Sequence, residues 1–237
     1  MKRRKNPIRI REAWRAIRAL MKNPDDTGQV FKIIRALSGD SGEREFQRFS
    51  ASEHGPAILA ENRCLVDRLS DRAYLASLPD GSLGRVYADF TEREQISPEG
   101  LIEASEAVPD DGLPVEPKRM LFGNRMRDSH DLWHVVTGYG RDLVGEAALL
   151  AFTYRQTRNR GIGFIVLVAY LRAGRAFPEH RSMIRDGYRR SGNASWLPGA
   201  DWEALLSQPL DEVRKTLGVV PVESYAALRS EGAPVLA

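Results

Sequence analysis

"RDSHDLWHVVTGYGRDLVGE", residues 127–146, carries two of the four histidines of a 237-residue chain, with an acid beside the first and a Glu twelve residues beyond the second. On a helix four residues advance about 400°, so His134 stands about 40° round from His130 and one turn along. Asp131 lies about 60° from His134, inside the same arc. Two imidazoles at this spacing beside a carboxylate are a common helical metal-ligand arrangement. Glu146 does not suit a single helix, because an unbroken one would carry it about 18 Å from His134. Gly138 and Gly140 flank Tyr139, however, and glycine ends helices through a left-handed turn. Asp142 then supplies an N-cap. The stretch is predicted to fold as an antiparallel helical hairpin, with Glu146 facing the histidines inside a helix bundle.

The rest of the chain reads as helix after helix. "DDTGQVFKIIRALSG" (25–39) has Asp and Thr cap candidates, an apolar stripe and a closing Gly. "GPAILAENRCLVDRLSDRAYLASLPDG" (55–81) reads as one long amphipathic stretch holding Cys64 in the core. Shorter patterns follow at 81–94 and 96–108, where Ser97 is the N-cap and Pro98 the first helical residue. "VPDDGLPVEP" (108–117) is a loop. Further helical patterns cover roughly 118–137, 141–158, 161–173 and 178–190, then a Trp-bearing turn near "SWLPGADW" and a last helix in "PLDEVRKTLG". Period-two alternation is almost absent, so the class is all-α: a single-domain multi-helix bundle with a metal site on a helical hairpin.

Composition narrows the partners. Forty-two per cent apolar and 28% charged residues are ordinary for a globular domain, and one cysteine excludes an internal disulfide and suits a reducing compartment. The net charge of +3 is uneven: residues 1–22 hold nine Lys/Arg against Glu12 alone, which leaves −5 for the remainder. Within this basic segment Ile10, Trp14, Ile17 and Met21 form one helical stripe. It is expected either to dock on an anionic membrane surface or to pack on its own domain, 23–237. Nucleic acid is not expected as a partner. The run "GIGFIVLVAYL" (161–171) is too short to cross a bilayer and reads as a buried helix or a pocket wall.

Other readings of the histidine pair stay open. Hydrogen-bonded histidines at a helix end beside a surface Glu are the plain one. "HDLWH" is also the zincin pattern with Asp for Glu, and a His-Asp doublet occurs in metal phosphohydrolases, for which His54 is the one upstream candidate.

His130, Asp131, His134 and Glu146, preceded by Arg127, resemble the motif of the coenzyme Q biosynthesis protein 4 family. "LPDGSLGRVYADF" (78–90) and "WEALLSQPLDEVRKTLGV" (202–219) are similar to two further family stretches, so the resemblance spans about residues 30–220. It implies an all-helical protein in which those four residues bind a divalent metal, zinc by preference, and carry the chemistry. The implied reaction is the oxidative decarboxylation of a polyprenyl-hydroxybenzoate at C1. It also implies other ubiquinone-biosynthesis enzymes as partners at a membrane. Arg127 is then a candidate for holding the substrate head-group, or equally for a salt bridge to a neighbour such as Asp128 or Asp131, and Ile162, Phe164, Ile165 and Val168 are candidates for lining a groove for the prenyl tail. The basic head lacks the Ser-rich character of a transit peptide, so the expected location is the bacterial cytoplasm, peripheral on the inner face of the membrane. A homodimer is kept open. The competing expectation is a non-catalytic prenyl-lipid-binding scaffold that organises the pathway enzymes.

Overall fold

The turn between His134 and Glu146 determines the architecture. Gly138 adopts the left-handed conformation (φ 77°, ψ 2°) while its N–H closes the preceding helix on the His134 carbonyl at 2.8 Å. Gly140 does not share that conformation. Asp142 then caps the next helix, its carboxylate accepting from Val144 N–H at 3.0 Å and Gly145 N–H at 3.3 Å. The chain folds back on itself as the glycine spacing predicts.

The computed structural model describes residues 7–107, 115–174 and 177–228. Among them are α1 (Ile10–Lys22), α2 (Thr27–Leu37), α3 (Ser41–Ser50), α4 (Gly55–Ala60), α5 (Leu65–Leu69), α6 (Arg72–Ser77), α7 (Leu83–Arg93) and α8 (Pro98–Glu106). The second half contains α9 (Pro117–Asp128), α10 (His130–Thr137), α11 (Leu143–Thr157), α12 (Arg160–Ala173), α13 (Pro178–Arg190), α14 (Trp202–Leu205) and α15 (Leu210–Leu217). No strand occurs among the described residues, and Ser82 and Pro209 share an isolated bridge. The protein is all-helical. α11 lies centrally, packed on α12 and α13, while α12 carries α2 and α2 carries α1. The main core joins Trp133 and Val136 of α10 to Tyr87 of α7, Phe152 of α11 and Trp202 of α14.

Two expected long helices are broken. The 55–81 stretch becomes α4, α5 and α6, because Asn62 takes a left-handed conformation (φ 51°) and Asp71 starts a new helix by accepting from Tyr74 N–H at 2.9 Å. Cys64 sits extended at the first of these breaks and is only partly buried, not in the core. The 118–137 stretch divides at Ser129, a turn residue (φ −76°, ψ −8°) that separates α9 from α10. Part of the 108–117 loop, 108–114, lies outside the described residues.

The basic head is not free of the domain. Arg9 N–H donates to Ala36 carbonyl at 2.8 Å, and Ala13, Ala16 and Ile17 bury one face of α1 against α2 and α12. Ile162 and Ile165 of α12 are buried, and Ile165, Phe164 and Val168 pack into the cluster that holds Ile17 and Ile33. Of the four residues expected to line a groove, Ile162 and Ile165 are thus buried, and Phe164 and Val168 remain partly exposed at the edge of that cluster.

Replacing Gly138 by Val is expected to destabilise the fold by about 2 kcal/mol or more. A side chain costs roughly 1–2 kcal/mol in the left-handed region, more when β-branched. Its Cβ would also stand 3.1 Å from the Val222 carbonyl oxygen. Urea denaturation checks this, and an unchanged midpoint would refute the role given to the turn.

Candidate metal centre

The hairpin brings three of the four expected ligands together. His134 Nε2 lies 3.4 Å from one Glu146 carboxylate oxygen, and His130 Nε2 lies 4.0 Å from the other. One ligand atom from each of His130, His134 and Glu146 falls within 4.8 Å of the others, so the cluster could hold a metal ion. Ligands arranged tetrahedrally about zinc at about 2.1 Å stand roughly 3.4 Å apart; the His134–Glu146 pair matches this, and His130, 4.0 Å from Glu146, would have to draw in.

Each imidazole is held from behind. His134 Nδ1 donates to the Tyr139 carbonyl at 2.8 Å, a bond available only because Gly138 turns the chain back. His130 Nδ1 lies 3.3 Å from Asp131 Oδ1. A proton on Nδ1, engaged by a carbonyl or carboxylate, leaves the Nε2 lone pair free for an ion. Asp131 is therefore placed beside His130 rather than among the three converging atoms. Phe90 of α7 stacks on His134, with ring centroids 5.8 Å apart, so the 78–90 stretch helps to fix the imidazole.

The electrostatics favour a positive charge between these groups. His134 Nε2 is buried and has no hydrogen-bond partner, yet it faces a carboxylate oxygen. Two electron-rich atoms this close repel unless a proton or a metal ion lies between them. Burial alone would lower the His134 pKa, but the Glu146 charge more than compensates and raises it. Burial would raise that of Glu146, but His134, with His130 and Arg141, holds it well below the ordinary carboxyl range. Asp131 is likewise held low against burial, chiefly by His130. His134 has a fully covered side chain, whereas those of His130 and Glu146 are 29% and 31% exposed. The cluster is closed at the core and open on one side, as a catalytic metal site is.

Arg127 is engaged elsewhere. Its Nε donates to Asp128 at 2.8 Å and one terminal nitrogen donates to Ser105 Oγ at 3.1 Å. Arg141 is the basic group at the cluster, with Nε 3.8 Å from Glu146. Sequence reasoning passed over it. Its position between Gly140 and the Asp142 cap, at the mouth of the hairpin, was the available signal.

The chain matches the family model of coenzyme Q (ubiquinone) biosynthesis protein Coq4 over residues 13–223, so the match includes most of α1. It is 32% identical over 167 residues to a mitochondrial ubiquinone biosynthesis protein coq4 of Aspergillus fumigatus, covering 70% of this chain and 56% of that one. It is 28% identical over 179 residues to the mitochondrial COQ4 protein of Scheffersomyces stipitis, covering 75% and 54% respectively. The chain thus spans little more than half the length of these relatives. A crystal structure of a protein provisionally described as a ubiquinone biosynthesis protein, from Nostoc punctiforme, superimposes with a TM-score of 0.60 at 22% identity. That likeness covers 89% of this chain and 98% of the other, and it concerns the fold. The glycine-turned hairpin, the histidine pair and the flanking stretches thus occur in a chain that belongs to the coenzyme Q (ubiquinone) biosynthesis protein Coq4 family.

Proposed function

We propose that this ubiquinone-biosynthesis protein is a zinc-dependent enzyme that removes the carboxylate from a polyprenyl-hydroxybenzoate and hydroxylates the same ring carbon, C1. The observation that carries the reading is the open cluster of His130, His134 and Glu146 around a buried, unpartnered imidazole nitrogen. His134 and His130 would hold the ion through Nε2 and Glu146 through its carboxylate. Asp131 would orient His130 and stand as a reserve ligand. A bound divalent ion supplies Lewis acidity, drawing ring electron density onto an adjacent phenolic oxygen. Replacing a ring carboxylate by hydroxyl releases CO₂ and two electrons, so an oxidant takes part as co-substrate. Arg141 is better placed than Arg127 to hold the departing carboxylate as a fork, being 3.8 Å from Glu146 and not bound to Asp128.

The substrate's tail calls for an apolar surface. Trp14 packs edge-on against Phe164 at 5.4 Å, and Leu167 and Leu171 continue the exposed α12 stripe. Arg11, Arg15, Arg18 and Lys22 are exposed along α1 beside it. No helix among the described residues is long and apolar enough to cross a membrane. We therefore assign this face to an anionic membrane surface, on the inner side of a bacterial cytoplasmic membrane, where the tail and the other pathway enzymes are met.

Incubating the zinc-loaded protein with a polyprenyl-hydroxybenzoate and an oxidant should yield the decarboxylated, hydroxylated product by mass spectrometry. Bound lipid without turnover would instead assign a carrier or scaffold. His134→Ala should lose most bound zinc while circular dichroism retains the helices, and unchanged zinc content would refute the site.

Protons should compete with the ion. A raised His134 pKa stabilises the ion-free fold below the ordinary value of 6.5, an effect lost as pH rises through the folded value. The depressed Glu146 acts in the opposite sense: its stabilisation is present above the ordinary 4.5 and lost as pH falls through the folded value. Zinc must displace the His134 proton, so affinity should fall on acidification with a midpoint above 6.5, measured by chelator competition.

Docking should be salt-sensitive, each basic residue near the surface adding about 1 kcal/mol. Replacing Arg11, Arg15 and Arg18 by Gln should reduce sedimentation with anionic vesicles without loss of helicity. Equal sedimentation of wild type and variant would end the membrane assignment.

A further inference from the structure

The stretch that follows α15 is neither helix nor strand, yet it is bonded to the metal-bearing hairpin along its length. Val222 N–H donates to the Thr137 carbonyl at 2.9 Å, and Leu143 N–H donates to the Leu228 carbonyl at 2.8 Å. Leu228 N–H donates to Asp142 Oδ1 at 3.0 Å, the same oxygen that caps α11. The Tyr225 hydroxyl donates to the other Asp142 oxygen and accepts from Gly140 N–H at 2.8 Å. Asp142 also receives the Glu146 N–H on its carbonyl at 2.8 Å. One residue therefore joins this strap to the helical turn that aims Glu146.

A second route reaches His134. Arg190 of α13 donates to the carbonyls of Val220 at 3.2 Å and Pro221 at 3.0 Å, and it pairs with Asp186. Asp186 accepts from the Tyr139 hydroxyl at 3.3 Å, and the Tyr139 carbonyl accepts from His134 Nδ1 at 2.8 Å. The packing leaves no slack: a Cβ at Gly145 would run into the Tyr225 hydroxyl and the Gly140 carbonyl oxygen.

We propose that the strap, residues 219–228, is a positioning element of the metal centre and that Tyr225 is its principal positioning residue. Tyr225 acts through Asp142 and Gly140, holding Glu146 opposite the two imidazoles. Strap docking and metal affinity are then linked, and each strengthens the other by the same factor. The proposal rests on the metal reading given above and adds the element that sets its affinity.

The test uses the full chain and zinc alone. Tyr225→Phe keeps the ring and removes both hydroxyl bonds. Loss of a group that supports metal ligands weakens binding about 10–100-fold. Chelator competition, in samples that circular dichroism shows to be folded, should give a loss in that range. A purely structural strap would lower the melting temperature and leave affinity unchanged. Hydrogen exchange on the wild type provides the second measurement. Zinc should slow the amides of Val222 and Leu228 several-fold, and more than those of α4, which neither route reaches. Wild-type affinity in a folded Tyr225→Phe, or strap amides indifferent to zinc, would overturn the proposal and leave the metal reading intact. A wild type that binds no zinc would overturn both. If the variant does not fold, the exchange result decides.

Discussion

The bond from His134 Nδ1 to the Tyr139 carbonyl is the constraint on which the site depends. It exists because Gly138 accepts a positive φ, and it selects which imidazole nitrogen is left bare. The same reversal of the chain places Asp142 as the cap of α11 and Glu146 one turn beyond it. Backbone stereochemistry at one glycine thus sets a tautomer, a helix start and a carboxylate position together. Burial then makes the arrangement chemically demanding. A buried imidazole nitrogen faces a carboxylate oxygen at 3.4 Å, a repulsion that a proton or a metal ion between them relieves.

What was legible in the residues followed from local rules. The hairpin could be read because glycine and Asp act on their own backbone, whatever surrounds them. The order of most helices could be read from apolar periodicity. The broken 55–81 stretch could not, because its pattern continues across Asn62 and Asp71 while the backbone departs from the helix there. α3 was missed as well: "SGEREFQRFS" has little apolar surface, and Phe49 is buried in a cluster with Ile58, Leu59, Leu121 and Phe122 that other helices supply. Of the site, the two histidines and Glu146 were accessible to spacing arguments. So was a salt bridge from Arg127 to its neighbour Asp128, and the place of Arg141 between Gly140 and the Asp142 cap was a further signal. The detachment of Asp131 from the converging atoms was not, because it depends on rotamers and neighbours that no spacing encodes.

Charge serves two purposes in this chain. On α1 it is arrayed outward, beside apolar residues that remain half exposed. Between α9 and α14 it is enclosed: Arg125 is 4% exposed and forks onto Glu203 while donating to the Arg63 carbonyl at 3.3 Å. Arg63 in turn grips Asp201 at 2.9 and 3.0 Å. Removing one member of such a buried pair is far more damaging than removing an exposed charge, because its partner is left desolvated. The outward charges are therefore replaceable one by one, and the enclosed ones are not.

The length of chain between the hairpin and its strap has a consequence for synthesis. The contacts made by Tyr225 and Leu228 close loops of 83 to 86 residues onto Gly140 and Asp142. A ribosome adding about 5–20 residues per second delivers the hairpin roughly 4 to 17 seconds before the residues that brace it. During that interval the histidines and Glu146 are already neighbours, but the first turn of α11 lacks the Tyr225 hydroxyl and the Leu228 amide. On the coupling proposed above, the nascent chain is a poorer trap for metal ions until residues 219–228 have docked on the hairpin.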